Sequence, residues 1–324
     1  MLNRRSFFVL AVAALAATSC AGRPLVPEAA ASQPAHAAQS SQAAQAAQAS
    51  HAAQPAHPAQ ALQAAQPAQP AQATQAAQPA QATPAVQATF RAMTFNIRHG
   101  EGLDGRLDLE RIAGVIRGER ADLVALQEVD KGVKRTAGRD LPSELAALTG
   151  MTCLFRNNYS FQGGEYGNAV LTRFPVKRWT NTHLRMLRQG EQRGVLQVVV
   201  DALGRDLLFL STHIDYRPDD AERLQNVEQF REVLAGYGDM PALFGGDFND
   251  TPGSRTYTAM AEMFGDVWVS VGEGDGFTIP SRGPTKRIDY LWVRKGSALR
   301  PVRAWVPKTE ASDHLPLVAE FRWQ

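Results

Sequence analysis

Polar side chains that could do chemistry fall at or near the ends of six apolar segments of this sequence. Singly, each has an ordinary structural explanation, such as a turn amide, a helix cap or a buried histidine bonded to backbone. Because a β-sheet can bring the ends of several strands to one cleft, the set as a whole predicts a catalytic site. The set comprises Asn96, Glu128, His213, Asp247 with Asn249, Asp289, and Asp313 with His314.

The donor types in this set indicate the kind of cofactor. The set contains four carboxylates and two histidines but no cysteine. Oxygen ligands suit hard divalent cations, whereas structural zinc sites usually include thiolates. We therefore expect Mg²⁺ or Mn²⁺ at this site.

The hydrophobic periodicity predicts alternating strands and helices from residue 90 onward. Strands are predicted at 91–98, 121–129, 152–157, 167–172, 194–201, 206–212, 241–246, 287–294, 301–306 and 317–323. Helices are predicted directly after Asp108 and at 141–148, 219–234 and 254–263. Because the strands outnumber the helices, we expect an α/β fold with two packed sheets and outer helices, rather than one doubly wound sheet.

The chain of 324 residues changes character near Phe90. From Ala29 to Thr89 there are 61 residues without Lys, Arg, Asp or Glu, mostly Ala, Gln and Pro, and such a segment cannot bury a core. The remaining segment, 90–324, has the length of one domain. It holds 31 of the 34 basic and 31 of the 32 acidic residues, so it lacks the net positive charge typical of proteins that track along nucleic acid.

The first 20 residues have the layout of an export signal. Arg4 and Arg5 precede a short apolar run and resemble a twin-arginine signal, and the residues that end at Cys20 resemble a lipobox. We expect lipidation at Cys20, with 21–89 as a disordered tether and 90–324 as the catalytic domain. The predicted location is the periplasm or the cell surface, anchored to a membrane. An ordinary signal with an incidental cysteine is the alternative.

Seven short blocks occur in the order TFNIRHG, LQEVD, GNAVLTRFP, STHID, GGDFND, RIDYLW and SDHLPL. In this order they resemble the endonuclease/exonuclease/phosphatase superfamily, which includes DNase I-like nucleases, inositol polyphosphate 5-phosphatases and neutral sphingomyelinases. The resemblance extends over essentially all of 90–324. It implies a four-layer α/β sandwich, in which two packed mixed sheets are flanked by helices.

The resemblance also implies roles for the acidic and amide residues. Glu128 would be the principal metal ligand, with Asn96 and Asp313 completing the site directly or through water. Asp247 would orient or deprotonate the attacking water, and Asn249 would hold Asp247. These roles agree with the chemistry, because phosphoryl transfer depends on in-line positioning and on neutralising charge at the phosphoryl oxygens.

Further roles follow for the histidines and for two candidate substrate contacts. His314, positioned by Asp289, would contact the phosphoryl oxygens. His213 would stabilise the pentacoordinate phosphorus or assist the leaving group. Asn168 and Arg193 are the candidate substrate-binding residues, and Arg193 has surface ion pairing as its alternative role.

The resulting expectation is a divalent-metal-dependent phosphodiesterase that acts as a monomer. The membrane tether favours a phospholipid head group or a small phosphodiester as the substrate. Nucleic acid is less favoured, because the one basic cluster is expected to be a solvated loop face. That cluster contains Lys131, Lys134, Arg135 and Arg139. An extracytoplasmic nuclease and a non-catalytic binding module on a membrane tether remain the alternatives.

The lipid anchor can be tested by changing Cys20 to Ser. If the thiol of Cys20 is acylated, Cys20→Ser moves the protein from the membrane fraction to the soluble periplasm. Specific activity on a soluble substrate should be unchanged, because the predicted site lies beyond Phe90. Cell fractionation with immunoblotting measures the shift, and an unchanged membrane fraction would show that Cys20 is not the anchor.

Overall fold

The computed structural model describes residues 88–324, and the architecture below refers to these residues. The predicted export signal at 1–20, the lipidation site Cys20 and nearly all of the tether predicted at 21–89 lie outside them. The first strand begins at Thr89, one residue before the predicted start of the domain.

Twelve strands and five helices make up the described part of the chain. The strands are β1 (Thr89–Asn96), β2 (Leu123–Lys131), β3 (Thr152–Phe161), β4 (Gly164–Thr172), β5 (Val176–His183), β6 (Gly194–Ala202), β7 (Arg205–His213), β8 (Ala242–Asp247), β9 (Phe264–Asp266), β10 (Asp289–Arg294), β11 (Leu299–Trp305) and β12 (Leu317–Trp323). The helices are α1 (Leu109–Gly118), α2 (Leu141–Thr149), α3 (Ala221–Ala235), α4 (Arg255–Met263) and α5 (Val267–Val271). Two short 3-10 helices cover Arg98–Gly100 and Lys134–Thr136.

The strands form two six-stranded mixed sheets with the same plan. The first has the order β11-β12-β1-β2-β4-β3, and the second has the order β5-β6-β7-β8-β10-β9. Each sheet contains one parallel pair, β1 with β2 and β7 with β8. Helices α1 and α3 supply the crossovers that parallel neighbours require. The carboxyl ends of both parallel pairs are therefore available to build one site.

The two sheets and the two outer layers of helices pack against each other through three apolar clusters. One cluster lies between the sheets and includes Phe209 and Leu291. A second packs α1 and α2 against the first sheet, with Ile112 among its fully buried residues. The third packs α3 and α4 against the second sheet and includes Phe230. The predicted four-layer α/β sandwich is confirmed.

The predicted helices all form, but two strands and one helix were not predicted. Asp108 caps α1 as predicted, since its carboxylate accepts the backbone N–H groups of Glu110 and Arg111 at 3.1 and 3.3 Å. Strand β5 was missed because it is an edge strand with mostly exposed residues and no apolar alternation. Strand β9 and helix α5 are too short to show a period. Within 88–324, no helix is long and apolar enough to cross a lipid bilayer.

The two sheets approach each other closely at Gly245, two residues before Asp247. A Cβ atom on Gly245 would lie 2.8 Å from the Cβ of Ala125 and 3.2 Å from the Cβ of Thr94, both in the first sheet. The glycine therefore sets the spacing of the sheets directly below the end of β8. At Gly114, in α1, a Cβ atom would instead meet open space, with no neighbouring group within 4 Å.

We predict that Gly245→Val lowers the free energy of unfolding by about 1–3 kcal/mol, because its side chain overpacks the space between the sheets. Gly114→Ala is the matched control and should raise the free energy of unfolding by up to about 1 kcal/mol, because alanine favours a helix. Urea denaturation followed by circular dichroism measures both. Equal stability of Gly245→Val and the parent would contradict the close approach.

Candidate active site

The carboxyl ends of the two parallel strand pairs bring four predicted residues together. Asn96 ends β1, and Glu128 lies near the end of β2 in the same sheet. His213 and Asp247 end β7 and β8 in the second sheet, where they lie opposite each other in register. On the other side of β8, Asp247 pairs with Asp289, the first residue of β10. Three polar residues therefore form one row across the second sheet.

The Asn96 side chain connects the two sheets. Its amide Nδ2 donates to Glu128 Oε1 and to Asp247 Oδ2, both at 3.0 Å. Its Oδ1 accepts the backbone N–H of Arg98 at 3.1 Å, which sets the orientation of the amide. Ser312 Oγ donates to the backbone carbonyl of Asn96 at 2.7 Å and so fixes the loop that carries His314. All these contacts are buried or half-buried.

A bulge in β2 turns Glu128 toward the cleft. The register with β4 shifts between Leu126 and Val129, and both of these side chains pack in the cluster beneath the helices. Glu128 is the additional residue between them, and its φ of 59° places it in the left-handed region. Burial raises the pKa of the Glu128 carboxyl, although the hydrogen bond from Asn96 opposes this. The bulge thus places a desolvated carboxylate at the cleft.

Asp247 is buried at the floor of the cleft and accepts hydrogen bonds on both oxygens. Oδ2 accepts from Asn96, and Oδ1 accepts the backbone N–H of Asn249 at 2.9 Å. Asn249 adopts a φ of 47°, and its Nδ2 donates to the carbonyl of Ile214 at 3.1 Å. Burial and the nearby Asp289 carboxylate raise the pKa of Asp247 to about 7. Asn249 therefore holds Asp247 through its backbone, not through its amide.

Asp289 and His314 form a buried pair behind Asp247. His314 Nδ1 lies 2.9 Å from Asp289 Oδ2, and His314 Nε2 lies 3.8 Å from Asp247 Oδ2. Burial by itself would lower the pKa of His314, but the Asp289 and Asp247 carboxylates outweigh it and raise the pKa to about 10. Asp289 is 0 % exposed, so its charge acts on the imidazole with little screening. The pair presents an imidazolium to the cleft at neutral pH.

His213 differs from His314 in its charge. Its Nε2 lies 3.5 Å from Asp247 Oδ2, and its Nδ1 is buried without a hydrogen-bond partner in the described residues. Burial and the positive charges of Arg193 and His314 lower the pKa of His213 well below its usual value. The neutral imidazole can give a hydrogen bond at neutral pH but is a poor proton donor.

The donor set fits a divalent cation. Glu128 lines the cleft, and none of the ion pairs among residues 88–324 includes its carboxylate. Asp313 is close enough to raise the pKa of Glu128, and its Oδ2 lies 3.8 Å from Arg98 Nε. Asp313 is half exposed and does not line the cleft, so it stands at the edge of the predicted metal site.

A second arrangement of ligand atoms is also present. One ligand atom from each of Asp247, Asp289 and His314 lies within 4.8 Å of the others, a spacing that could hold a metal ion. However, His314 Nδ1 and Asp289 Oδ2 already hydrogen-bond each other at 2.9 Å. A cation there would also lie against an imidazolium, which repels it, whereas a cation at Glu128 would add a partner to a carboxylate that has no ion pair in 88–324. The charge pattern therefore favours Glu128.

The two predicted substrate contacts lie in different places. Arg193 lines the cleft and is 5 % exposed, with Nη1 paired to Glu191 Oε1 at 2.6 Å. Its Nε is buried without a partner in the described residues, which suits an anion in the cleft. Asn168 does not line the cleft; its Nδ2 donates to the carbonyl of Gly194, next to Arg193, at 3.0 Å. Asn168 is thus placed to support the start of β6, directly after Arg193.

The cleft has a volume of about 370 Å³. The residues on one side of it were not predicted from the sequence. Arg135, which was expected on a solvated loop face, lies in the cleft with two hydrogen bonds to the buried Asp130 at 2.7 and 2.8 Å. Arg135 is solvent-exposed, as that expectation requires, but its side chain also lines the cleft. The aromatic residues of the cleft were also missed, because the pattern of apolar residues along the chain does not reveal which rings face a site. These are Tyr159, Phe161, Tyr166 and Tyr216.

Comparisons with known proteins agree with this architecture. The uncharacterized protein YbhP of Escherichia coli is 27% identical over 251 residues, which span 72% of this chain and 97% of YbhP. The endonuclease/exonuclease/phosphatase from Beutenbergia cavernae is 27% identical, with a TM-score of 0.57 and coverage of 72% of each chain. The mannosyl-6-phosphatase of Bacteroides thetaiotaomicron shares the fold at 18% identity, with a TM-score of 0.62 over 72% of this chain and 100% of that one.

The profile of the Endonuclease/Exonuclease/phosphatase family matches residues 93–314, which contain the predicted site from Asn96 to His314. The match covers more than half of the chain and confirms the resemblance of the seven sequence blocks. This chain belongs to the endonuclease/exonuclease/phosphatase family of phosphoester hydrolases.

Proposed function

We propose that this protein is a divalent-metal-dependent phosphodiesterase that hydrolyses a small phosphodiester. The observation that carries the proposal is the continuous arrangement of Glu128, Asn96, Asp247, His314 and Asp289 at the floor of one cleft. A non-catalytic binding module has no need of a buried carboxylate held between two amide donors and an imidazolium.

Asp247 is the group that receives the proton of the attacking water. The water oxygen forms a bond to phosphorus as the bond to the leaving oxygen breaks, and the water proton passes to Asp247. The leaving oxygen departs as an alkoxide or aryloxide and takes up a proton from solvent. Asn96 and the backbone of Asn249 hold the Asp247 carboxylate in one orientation. Water is thereby aligned before the reaction begins.

Three cationic or polar groups stabilise the phosphoryl oxygens. His314, held by Asp289, supplies an imidazolium, and the unpartnered Nε of Arg193 supplies a further donor. His213 supports the developing pentacoordinate phosphorus through a hydrogen bond. Its neutral state favours this role over protonation of the leaving group.

Glu128, with the buried Asn96 beside it and Asp313 at the rim, would hold the Mg²⁺ or Mn²⁺. When bound, the cation neutralises charge on the phosphoryl oxygens. We further propose that the domain is exported and anchored through Cys20, and that it acts as a monomer. The small size of the cleft supports a small substrate over a polymer.

The catalytic assignment predicts that Asp247→Asn and His314→Ala each lower kcat/KM by roughly 10³-fold or more, because each removes a preorganised contact to the transition state. Release of p-nitrophenol from bis-p-nitrophenyl phosphate, with and without EDTA, measures the loss. p-Nitrophenyl phosphate and plasmid DNA, assayed in parallel, separate a diesterase from a monoesterase and from a nuclease.

Asp206→Asn and His183→Ala make the same chemical changes at exposed positions outside the cleft, and they should retain the parent activity. Melting temperatures of all four variants control for folding. Activity within tenfold of the parent in both Asp247→Asn and His314→Ala would contradict the mechanism. Absence of activity in the parent with every substrate would favour the binding module.

The metal assignment predicts that Glu128→Gln weakens Mn²⁺ binding by at least about tenfold, because a neutral amide is a poor ligand for a hard cation. Electron paramagnetic resonance of free Mn²⁺ measures the affinity without any substrate. Asp289→Asn is the comparison variant, and its effect should be smaller. If Asp289→Asn abolishes binding and Glu128→Gln does not, the metal belongs to the cluster of Asp247, Asp289 and His314.

A further inference from the structure

One side of the cleft carries rings that the proposed reaction does not use. Tyr159 and Phe161 lie on β3 near its turn into β4, with ring centroids 6.2 Å apart and planes inclined by 29°. Tyr166 on β4 follows at 6.4 Å from Phe161. Tyr159 is 36 % exposed although it lines a cleft. We call Tyr159, Phe161 and Tyr166 the aromatic wall.

Arg135 packs on two of the three rings of the aromatic wall. The guanidinium carbon of Arg135 lies 4.9 Å from the ring centroid of Phe161 and 5.3 Å from that of Tyr166. The buried Asp130 fixes this guanidinium with two hydrogen bonds at 2.7 and 2.8 Å. The backbone N–H of Arg135 also donates to Gln162 Oε1, at the tip of the β3–β4 hairpin, at 3.0 Å. A ligand would therefore meet rings that are already ordered.

The rest of the cleft is consistent with a ligand that has both a charged and a planar part. Tyr216 also lines the cleft and is 65 % exposed, and the guanidinium of Arg193 lies 5.8 Å from its ring. Ile279 and Ile288 complete the apolar lining. A cleft of about 370 Å³ has the size of a pocket for one small molecule. The same molecule can therefore contact the polar floor and the aromatic wall.

We propose that the aromatic wall binds a planar ring carried by the phosphate ester, so that the protein selects aryl or heterocyclic esters over purely aliphatic ones. The inference rests on the proposed function, since it assumes that the phosphate occupies the floor of the cleft. Flat rings stack on tyrosine and phenylalanine with a specific geometry, whereas aliphatic groups gain only from burial. The stacked arrangement of Tyr159 and Phe161 offers that geometry.

Binding of phosphonates tests the proposal, because their carbon–phosphorus bond is not hydrolysed. Isothermal titration calorimetry of the full chain with Mg²⁺ compares phenylphosphonate with ethylphosphonate. We expect phenylphosphonate to bind on the order of tenfold more tightly. In the double variant Tyr159→Leu/Phe161→Leu, which keeps apolar surface but removes both π faces, the two affinities should become nearly equal.

Two further variants separate the ring contact from a general loss of structure. Tyr159→Phe retains the ring and should retain the preference. Trp179→Leu removes a ring that is 37 % exposed on β5 and does not line the cleft, and it should also leave the preference unchanged. Melting temperatures verify that each variant folds.

Several results would overturn the proposal. These are equal affinities in the parent, a preference that survives in the double variant, failure of both phosphonates to bind, or hexylphosphonate binding as tightly as phenylphosphonate. The last result would identify an aliphatic, lipid-like group as the occupant. A ring preference without any hydrolysis of phosphodiesters would contradict the proposed function alone, and hydrolysis without a ring preference would contradict this inference alone.

Discussion

The Asn96 amide is the contact on which the arrangement of the site depends. Its one NH₂ group donates to Glu128 in its own sheet and to Asp247 in the opposite sheet, each at 3.0 Å. Both acceptors are carboxylates in a low-dielectric environment, where hydrogen bonds to charged groups are strong and their loss is costly. The proposed metal ligand and the proposed proton acceptor are thus held at a set separation, because the contact can form only when the two sheets are aligned.

Charge at the site is distributed by burial and by pairing. Asp289 is fully buried and holds a proton on His314, whereas burial and the positive charges of Arg193 and His314 keep His213 neutral. Two histidines with the same intrinsic pKa thereby acquire different states within one cleft. Asp247 lies between them with its pKa raised to about 7 by burial and by Asp289. This arrangement provides one fixed positive charge, one neutral donor and one acceptor of a proton.

The cleft combines a polar floor with an aromatic wall, and the two come from different elements. The floor comes from the ends of the parallel strand pairs, which the fold brings together in both sheets. The aromatic wall comes from the β3–β4 hairpin at the edge of the first sheet, and it is braced by a loop arginine. The proposed ring contact and most of the residues proposed for hydrolysis therefore lie on different elements.

Local patterns in the sequence determined the strands of the core, the α1 cap at Asp108 and the polar residues at strand ends, because periodicity and capping act over a few residues. The order of seven blocks identified the family. The tertiary structure decided the bulge that turns Glu128 toward the cleft, the hydrogen bond of Asn168 to Gly194, and the packing of Arg135 against aromatic rings. Each of these depends on residues distant in sequence. The bulge at Glu128 depends on the register with β4, the position of the Asn168 side chain depends on β6, and the position of Arg135 depends on the β3–β4 hairpin. No local pattern encodes such pairings, since their energy arises only when the sheets and loops have packed.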